Sequence, residues 1–446
     1  MNMFKRIIII VMVIVIIIIS IILLYMYFIG KEDNEYTYIE ENNFEIKKNV
    51  QKVENRNDYY MINTCVDKWF SYLMKTNSDD YNTLYEGMSG VIQKEEENSA
   101  IALYNMLDPI YIEYKDINEK NVFEKIQRIE KSDILIEDMY FSQISENILS
   151  YIVYGKIYYE NNNNMQNFTM IVNVDMDKNA FSLILQDYID EKQISIDEGE
   201  EFNIQLGKNI ESNQYNMIEY RNISDEVYIE ELVENLRKMA LYDKELLYQH
   251  LNQDYSKKRF DTSYDIFQNF MKENMNNFIK MSIKSYQKNQ YDGYVQYVCV
   301  DNSNNYYIFN INGITDYNII LDTYTVDLPQ FLEKYENGNE QVKVGMNIEK
   351  FISSINMKDY KYAYNCLAES FKANSYQTQE SFEEYVKSNF FEKNKIEYES
   401  FSKEGENYIY EIKISDEQGI SQDVKNVTII MQLKEGTDFV MSFSIN

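Results

Sequence analysis

A spaced pattern returns three times along this chain: an Asp, a Tyr five positions later, then a Leu or Met three further on. The second and third copies stay in register without a gap through three more pairs, Tyr255/Phe371, Phe260/Tyr376 and Thr262/Thr378. Such a repeat predicts one small α+β module used three times. The repeat positions are Asp80, Tyr85, Met88, Asp243, Tyr248, Leu251, Asp359, Tyr364 and Leu367.

An uninterrupted apolar run occupies residues 7–29, with Ser20 as its single polar member. As a helix it would be roughly 34 Å long, enough to cross a hydrocarbon core of about 30 Å. Lys5 and Arg6 precede it, and the positive-inside rule then leaves residues 1–6 in the cytoplasm and the rest outside. The run is too long for a signal peptide, lacks an Ala-x-Ala cleavage site, and is not amphipathic like a core helix. We therefore expect an uncleaved single-pass anchor.

Periodicity divides the remainder of the chain. The third module shows helical spacing from Ile348, with Asn347 as an expected cap, then helices beginning at Asp359 and Thr378. Period-2 strands follow around 408–414, 427–433 and 439–445. The second module repeats this order, with helices near 226–240, 243–256 and 262–275 and strands near 277–287, 293–301, 305–312 and 317–326. In the first module, strands are expected near 133–142, 148–160, 166–174 and 180–188, after a helix that carries Val66, Trp69, Phe70 and Leu73 on one face. The predicted segments are a spacer at 30–57, modules at 58–190, 225–328 and 345–446, and polar linkers at 191–224 and 329–344.

The third module resembles the nuclear transport factor two-like superfamily. The resemblance rests on Asp359-Tyr-Lys-Tyr-Ala-Tyr-Asn-Cys-Leu367, followed by Thr378 and Phe382. It implies a cone-shaped domain in which a curved antiparallel four-strand sheet wraps a long helix and leaves an apolar pocket. The predicted fold class is therefore α+β: a transmembrane helix followed by three tandem helix-plus-curved-sheet domains. The superfamily contains enzymes, ligand binders and extracytoplasmic envelope domains, so fold alone does not select a function.

Composition narrows the partners. The formal net charge is −30, from 73 acidic and 43 basic residues, which argues against binding nucleic acid or an anionic lipid surface. The three cysteines, Cys65, Cys299 and Cys366, fall one in each module without CxxC spacing, so we interpret them as buried apolar residues rather than zinc ligands or disulfides. No cofactor is expected.

Each candidate site also has a structural interpretation. The repeat Asp residues lie where helix N-caps belong, and the repeat Tyr residues fall on inward faces. His250, the only histidine, is expected to be partly exposed rather than catalytic. The segment beginning at Asp175 resembles a calcium loop but has Ala180 and Gln186 where the loop requires Gly and Glu, so a hairpin turn fits better. The sequence thus predicts no catalytic, cofactor or metal residues.

In its architecture the chain resembles the membrane-anchored subunits of Gram-positive conjugation and type IV secretion machines, and secondarily the cell-wall synthases that carry such a domain at their N-terminus. This resemblance implies a non-enzymatic envelope scaffold with protein partners. A ligand-binding or sensing module that uses one apolar cone stays open as the alternative, an enzyme is a third reading, and self-association of copies is also left open.

Overall fold

The computed structural model describes residues 50–74, 132–159, 164–186, 206–207, 210 and 217–445. The expected anchor at 7–29 and the first repeat copy, Asp80, Tyr85 and Met88, lie outside these residues. No helix in the described part is long and apolar enough to cross a membrane.

Three separate antiparallel sheets define the architecture and confirm an α+β class. In each sheet, neighbouring strands are consecutive in the sequence. The elements of the first module are β1 (Gln51–Lys52), α1 (Arg56–Met74), β2 (Ser132–Gln143), β3 (Ile148–Tyr159), β4 (Asn164–Asp175) and β5 (Ala180–Gln186). Strand β1 and the first two residues of α1 fall in the segment predicted as a spacer, and β1 pairs with β2. Strands β2 to β5 match the predicted ones closely, because the period-2 alternation there is long and bounded by turn residues. Val66 and Trp69 of α1 are buried against this sheet, as their helical spacing predicts.

The second module contains α2 (Asp225–Tyr242), α3 (Lys244–Gln249), α4 (Gln253–Phe260), α5 (Tyr264–Ile279), β6 (Ile283–Tyr291), β7 (Tyr294–Asp301), β8 (Tyr306–Ile311) and β9 (Tyr317–Ile320). The single helix expected at 243–256 is in fact two, since the chain pairs with β9 at Leu251 between them. The cap of α5 is Ser263 rather than Thr262, which adopts a left-handed conformation with φ 57°. Helix α5 runs to Ile279, so the strand expected from 277 begins at Ile283.

The third module contains α6 (Pro329–Asn337), α7 (Glu340–Asn356), α8 (Tyr360–Asn365), α9 (Glu369–Ser375), α10 (Gln379–Asn389), β10 (Asn394–Glu404), β11 (Asn407–Asp416), β12 (Val424–Leu433) and β13 (Phe439–Ile445). Strand β10 was absent from the predicted segments because its residues are mostly exposed and polar. Asn347 is not a cap: it lies inside α7 and is fully buried, and Asn339 caps the helix instead.

The segment 329–344, predicted as a polar linker, contains α6 and the first turn of α7. Leu328 and Tyr335 are buried, and Phe331 packs on the core of the second module. That core takes in both faces of the second sheet, because Val298 and Ile308 point away from Tyr297 and Phe309 along paired strands. The linker side chains are therefore part of a core, which the polar residues around them conceal in the sequence.

The repeat itself has a structural counterpart. Leu251 forms a parallel bridge with Ile319 of β9, and Leu367 forms the same bridge with Met441 of β13. In both modules the residue before the repeat Leu accepts a backbone hydrogen bond from the strand. The carbonyl of His250 accepts the amide hydrogen of Ile319, and the carbonyl of Cys366 accepts that of Met441. The turn after the second helix is thereby hydrogen-bonded to the edge of its own sheet in both copies.

Candidate functional site

Asp243 and Asp359, the two repeat carboxylates among the described residues, lie at the junctions between modules. Asp243 caps α3, with Oδ1 accepting the Leu246 amide at 3.0 Å, and Asp359 caps α8, with Oδ1 accepting the Tyr362 amide at 3.1 Å. This confirms the predicted capping role of both residues. Only about 4% of each residue is exposed, however, and a helix cap at the surface does not require such deep burial. The burial arises because the second oxygen of each carboxylate faces the preceding module.

At the junction of the second and third modules, Arg259 of α4 contacts Asp359 Oδ2 at 2.9 Å. Arg259 also lies 3.9 Å from Asp322, which follows β9. Tyr324 donates a hydrogen bond from its hydroxyl to Asp359 Oδ2 at 3.2 Å. One guanidinium is thus shared by two buried carboxylates, one from each module, and the net charge of the cluster is −1.

Asp322 is held by its own turn. Its Oδ1 accepts the amide hydrogens of Tyr324 and Thr325, and its Oδ2 accepts the Thr325 hydroxyl at 2.8 Å. Burial raises the pKa of Asp322 although Arg259 and these donors oppose the shift. The turn after β9 therefore presents a fixed buried acid to the cation.

The junction of the first and second modules follows the same plan with different residues. Lys156 of β3 contacts Asp243 Oδ2 at 3.0 Å and Glu137 at 3.3 Å. Tyr158, also on β3, stacks on Tyr242 with ring centroids 5.3 Å apart, and burial followed by the charge of Asp243 raises its pKa. Again one cation is shared by a carboxylate from each module, beside a buried tyrosine.

A second ionic contact joins these two modules. Asp225, at the start of α2, accepts from Arg56 of α1 at 2.6 Å, from Tyr297 at 2.8 Å and from Lys288. Burial alone would raise the pKa of Asp225, but these donors outweigh it and lower the pKa to about 2. The side chain therefore links α1 to the second module as an anion over the whole physiological range.

Tyr248 and Tyr364, the repeat tyrosines among the described residues, pack against aromatic side chains. Tyr248 contacts Phe267 at a centroid distance of 5.2 Å, and Tyr364 contacts Phe382 at 5.8 Å. Tyr364 also donates a hydrogen bond to the carbonyl of Tyr376 at 3.1 Å. Both rings are half-buried and pack against the hydrophobic cores of the second and third modules, which confirms the core interpretation for both.

His250 is half-buried, and its ring lies 4.9 Å from the ring of Tyr317. Nδ1 is 3.2 Å from the carbonyl oxygen of Tyr317, so this nitrogen carries the hydrogen and donates it. Burial lowers the pKa of His250, which keeps it neutral at pH 7. Its contacts are those of a residue that packs against β9.

Cys65, Cys299 and Cys366 are free and buried, which confirms their apolar interpretation. Burial raises the pKa of each thiol to about 12, so none is a nucleophile at neutral pH. The segment at Asp175 forms the turn between β4 and β5, as predicted. Within the described ranges, no group of three or more His, Cys, Asp or Glu residues is placed to hold a metal ion.

Sequence reasoning found the two carboxylates but missed their partners. Lys156, Arg259 and Asp322 do not recur at equivalent positions of the repeat: the cation comes from a strand in one junction and from a helix in the other. No periodic signal could have located them. Comparison with known proteins adds no assignment, since neither a protein-family model nor a curated protein matches the chain.

Proposed function

We propose that this chain is a non-enzymatic, single-pass membrane protein whose modules lie outside the cell membrane and act as a scaffold for protein assembly in a bacterial envelope. The observation that carries the proposal is the use of the repeat carboxylates at two successive junctions. Buried ion pairs between modules hold a relative orientation, whereas domains that only need to be tethered are normally joined by modest polar contacts.

The sequence supplies the rest of the argument. The apolar run at 7–29 with basic residues before it would anchor the chain and place the modules outside. The charge of −30 disfavours nucleic acid and anionic lipid as partners and keeps the exposed modules soluble. A scaffold of this kind requires no cofactor, and its partners are other envelope proteins, with self-association of copies as a further arrangement.

Affinity purification tests the proposal. The full-length chain with a C-terminal tag, extracted from membranes with mild detergent, should recover the same envelope proteins in independent preparations. A D243N/D359N variant should recover less of them, because Asn still caps a helix but cannot pair with Lys156 or Arg259. D261N is the matched control, since Asp261 forms an exposed pair with Lys361.

The topology is tested separately by protease treatment of intact cells. Digestion of the C-terminal tag from outside agrees with the proposed orientation, and protection of the tag in intact but not lysed cells contradicts it. Repeated recovery of no specific partner, or of cytoplasmic proteins alone, would refute the scaffold role. Recovery of a differently tagged second copy would identify self-association.

A further inference from the structure

A cavity of about 140 Å³ lies where the second and third modules meet. Its apolar wall includes Tyr306, Leu321 and Met357, and its polar wall includes Asn356, Lys393 and Glu417. This site is distinct from the apolar pocket implied inside a cone, because both modules contribute to its walls. Asp322 and Tyr324 also line it, so the cavity adjoins the ion pairs of the junction.

Lys393 contributes to this cavity an ammonium group with hydrogen-bond donors beyond the one described hydrogen bond. An ammonium has three donors, and the one hydrogen bond described for Lys393 runs to Asn305 Oδ1 at 3.2 Å. Among the described residues, no carboxylate lies within 4.0 Å of its nitrogen, whereas the junction cations Lys156 and Arg259 each have two. Burial lowers the pKa of Lys393, which is the behaviour of a partly desolvated cation that lacks a close anion.

Glu417 supplies the opposite charge nearby. Its backbone amide donates to the Lys393 carbonyl at 2.9 Å, which fixes the two residues side by side. The Glu417 carboxylate accepts from the Asn304 amide group at 2.6 Å and lies more than 4.0 Å from the Lys393 nitrogen. The cavity thus presents a cation and an anion that are close but not in contact.

We propose that this cavity binds a small α-amino acid, with its carboxylate on Lys393 and its ammonium directed to Glu417. A dianion such as phosphate fits less well, since Glu417 and the nearby Asp301 repel it. The volume sets the size: a cavity of about 150 Å³ accommodates benzene, so about six non-hydrogen atoms fit here, as in alanine. The site goes beyond the scaffold role and does not depend on it.

Calorimetric titration of the purified full chain in detergent with L-alanine, D-alanine and glycine tests the inference. Binding of at least one of them is expected, and acetate and methylamine, which each carry one of the two charges, should bind at least about tenfold more weakly. K393M should weaken binding by about tenfold or more, because it removes the hydrogen-bonded charge that holds the carboxylate. E417Q should weaken the binding of the amino acid but not the binding of acetate.

K395M is the matched control, since Lys395 lies two residues further on β10, is exposed and lies outside the cavity. Thermal unfolding curves of the variants without ligand should coincide with that of the wild type, which separates loss of binding from loss of fold. Absence of heat with all three amino acids, or equal affinity of K393M and wild type, overturns the proposal. Acetate binding as tightly as alanine, with E417Q unaffected, overturns the amino-acid assignment. Pull-down of partners is unaffected by either result, so failure here is distinguishable from failure of the scaffold role.

Discussion

At the scale of single residues, Asp359 shows how one carboxylate serves two interactions. One oxygen satisfies an amide at the start of α8, and the other pairs with Arg259 of the preceding module. An N-cap typically contributes about 1 kcal/mol. A buried ion pair contributes little net stability, but removal of one partner leaves an uncompensated charge and is costly. Loss of the cation should therefore destabilise this junction more than loss of a helix cap.

Replacement of Arg259 by Met should destabilise the protein by about 3–5 kcal/mol at pH 7, because Asp322 and Asp359 are then both buried without a cation. Burial already raises the pKa of Asp322 against the opposing charge of Arg259, so without that cation Asp322 would bind a proton more readily in the folded than in the unfolded state, and the loss should be smaller at pH 5. Urea denaturation at both pH values measures this.

The control is K361M, which removes the exposed pair with Asp261 and should cost less than about 1 kcal/mol. The double variant R259M/D359N should be more stable than R259M alone. If R259M unfolds at the same urea concentration as K361M, the junction cluster contributes nothing to stability.

The lowered pKa of Asp225 predicts a different dependence of stability on pH. Its folded-state pKa of about 2 lies below the ordinary value of 3.8. A depressed pKa contributes stability that is fully present above pH 4 and is lost as pH falls from about 4 to 2. D225N cannot lose this contribution. The stability difference between wild type and D225N, measured by thermal unfolding from pH 6 to pH 2, should therefore shrink in that window, and a constant difference would contradict the assignment.

At the scale of elements, the sequence predicts structure well where a period is long. The strands of the first module and those at 407–416, 424–433 and 439–445 lie where alternation places them. Prediction from the sequence fails where tertiary contacts override a local pattern. Helix α7 begins at Glu340 rather than near Ile348, because Val344 and Met346 are buried by the module although polar residues surround them. Lys156 and Arg259 were not predictable, since their roles exist only across a junction.

Gly155 of β3 lies unusually close to both neighbouring strands, β2 and β4. A Cβ atom there would lie 2.5 Å from the Leu135 carbonyl oxygen and 2.6 Å from the Phe168 ring. The side of β3 that carries Gly155 therefore has no room for a methyl group. G155A should destabilise the protein by about 1–3 kcal/mol, measured as a shift of the urea midpoint.

Gly345 provides the contrast within a helix. The nearest atoms to its Cβ position belong to Tyr398, at 3.7 Å or more, which is ordinary contact. Because Ala is a better helix former than Gly, G345A should be neutral or stabilise α7 by up to about 1 kcal/mol. Equal effects of G155A and G345A would contradict the close approach described for β3.

At the scale of the whole molecule, the three sheets are separate, and each described junction places a shared cation between carboxylates of two modules. Each module has its own hydrophobic cluster, but Leu135 and Tyr158 of the first belong to the cluster of the second. Among the described residues, the third cluster takes none from outside its own module. The third module is therefore the one with the least dependence on its neighbours for burial.

A fragment beginning at Asn339 and ending at 446 should fold alone with a cooperative transition, because it keeps the whole of α7 and the cap that Asn339 gives to Val342 at 3.0 Å. A fragment beginning at Gly345 loses that cap and the fully buried Val344, so its melting temperature should be several degrees lower. Circular dichroism and dispersed amide NMR shifts measure both. In the longer fragment Asp359 loses Arg259 but gains water, so the exposed carboxylate does not prevent folding. Reproducible aggregation or a non-cooperative transition of the 339–446 fragment would mean that the third cluster needs the second module to form.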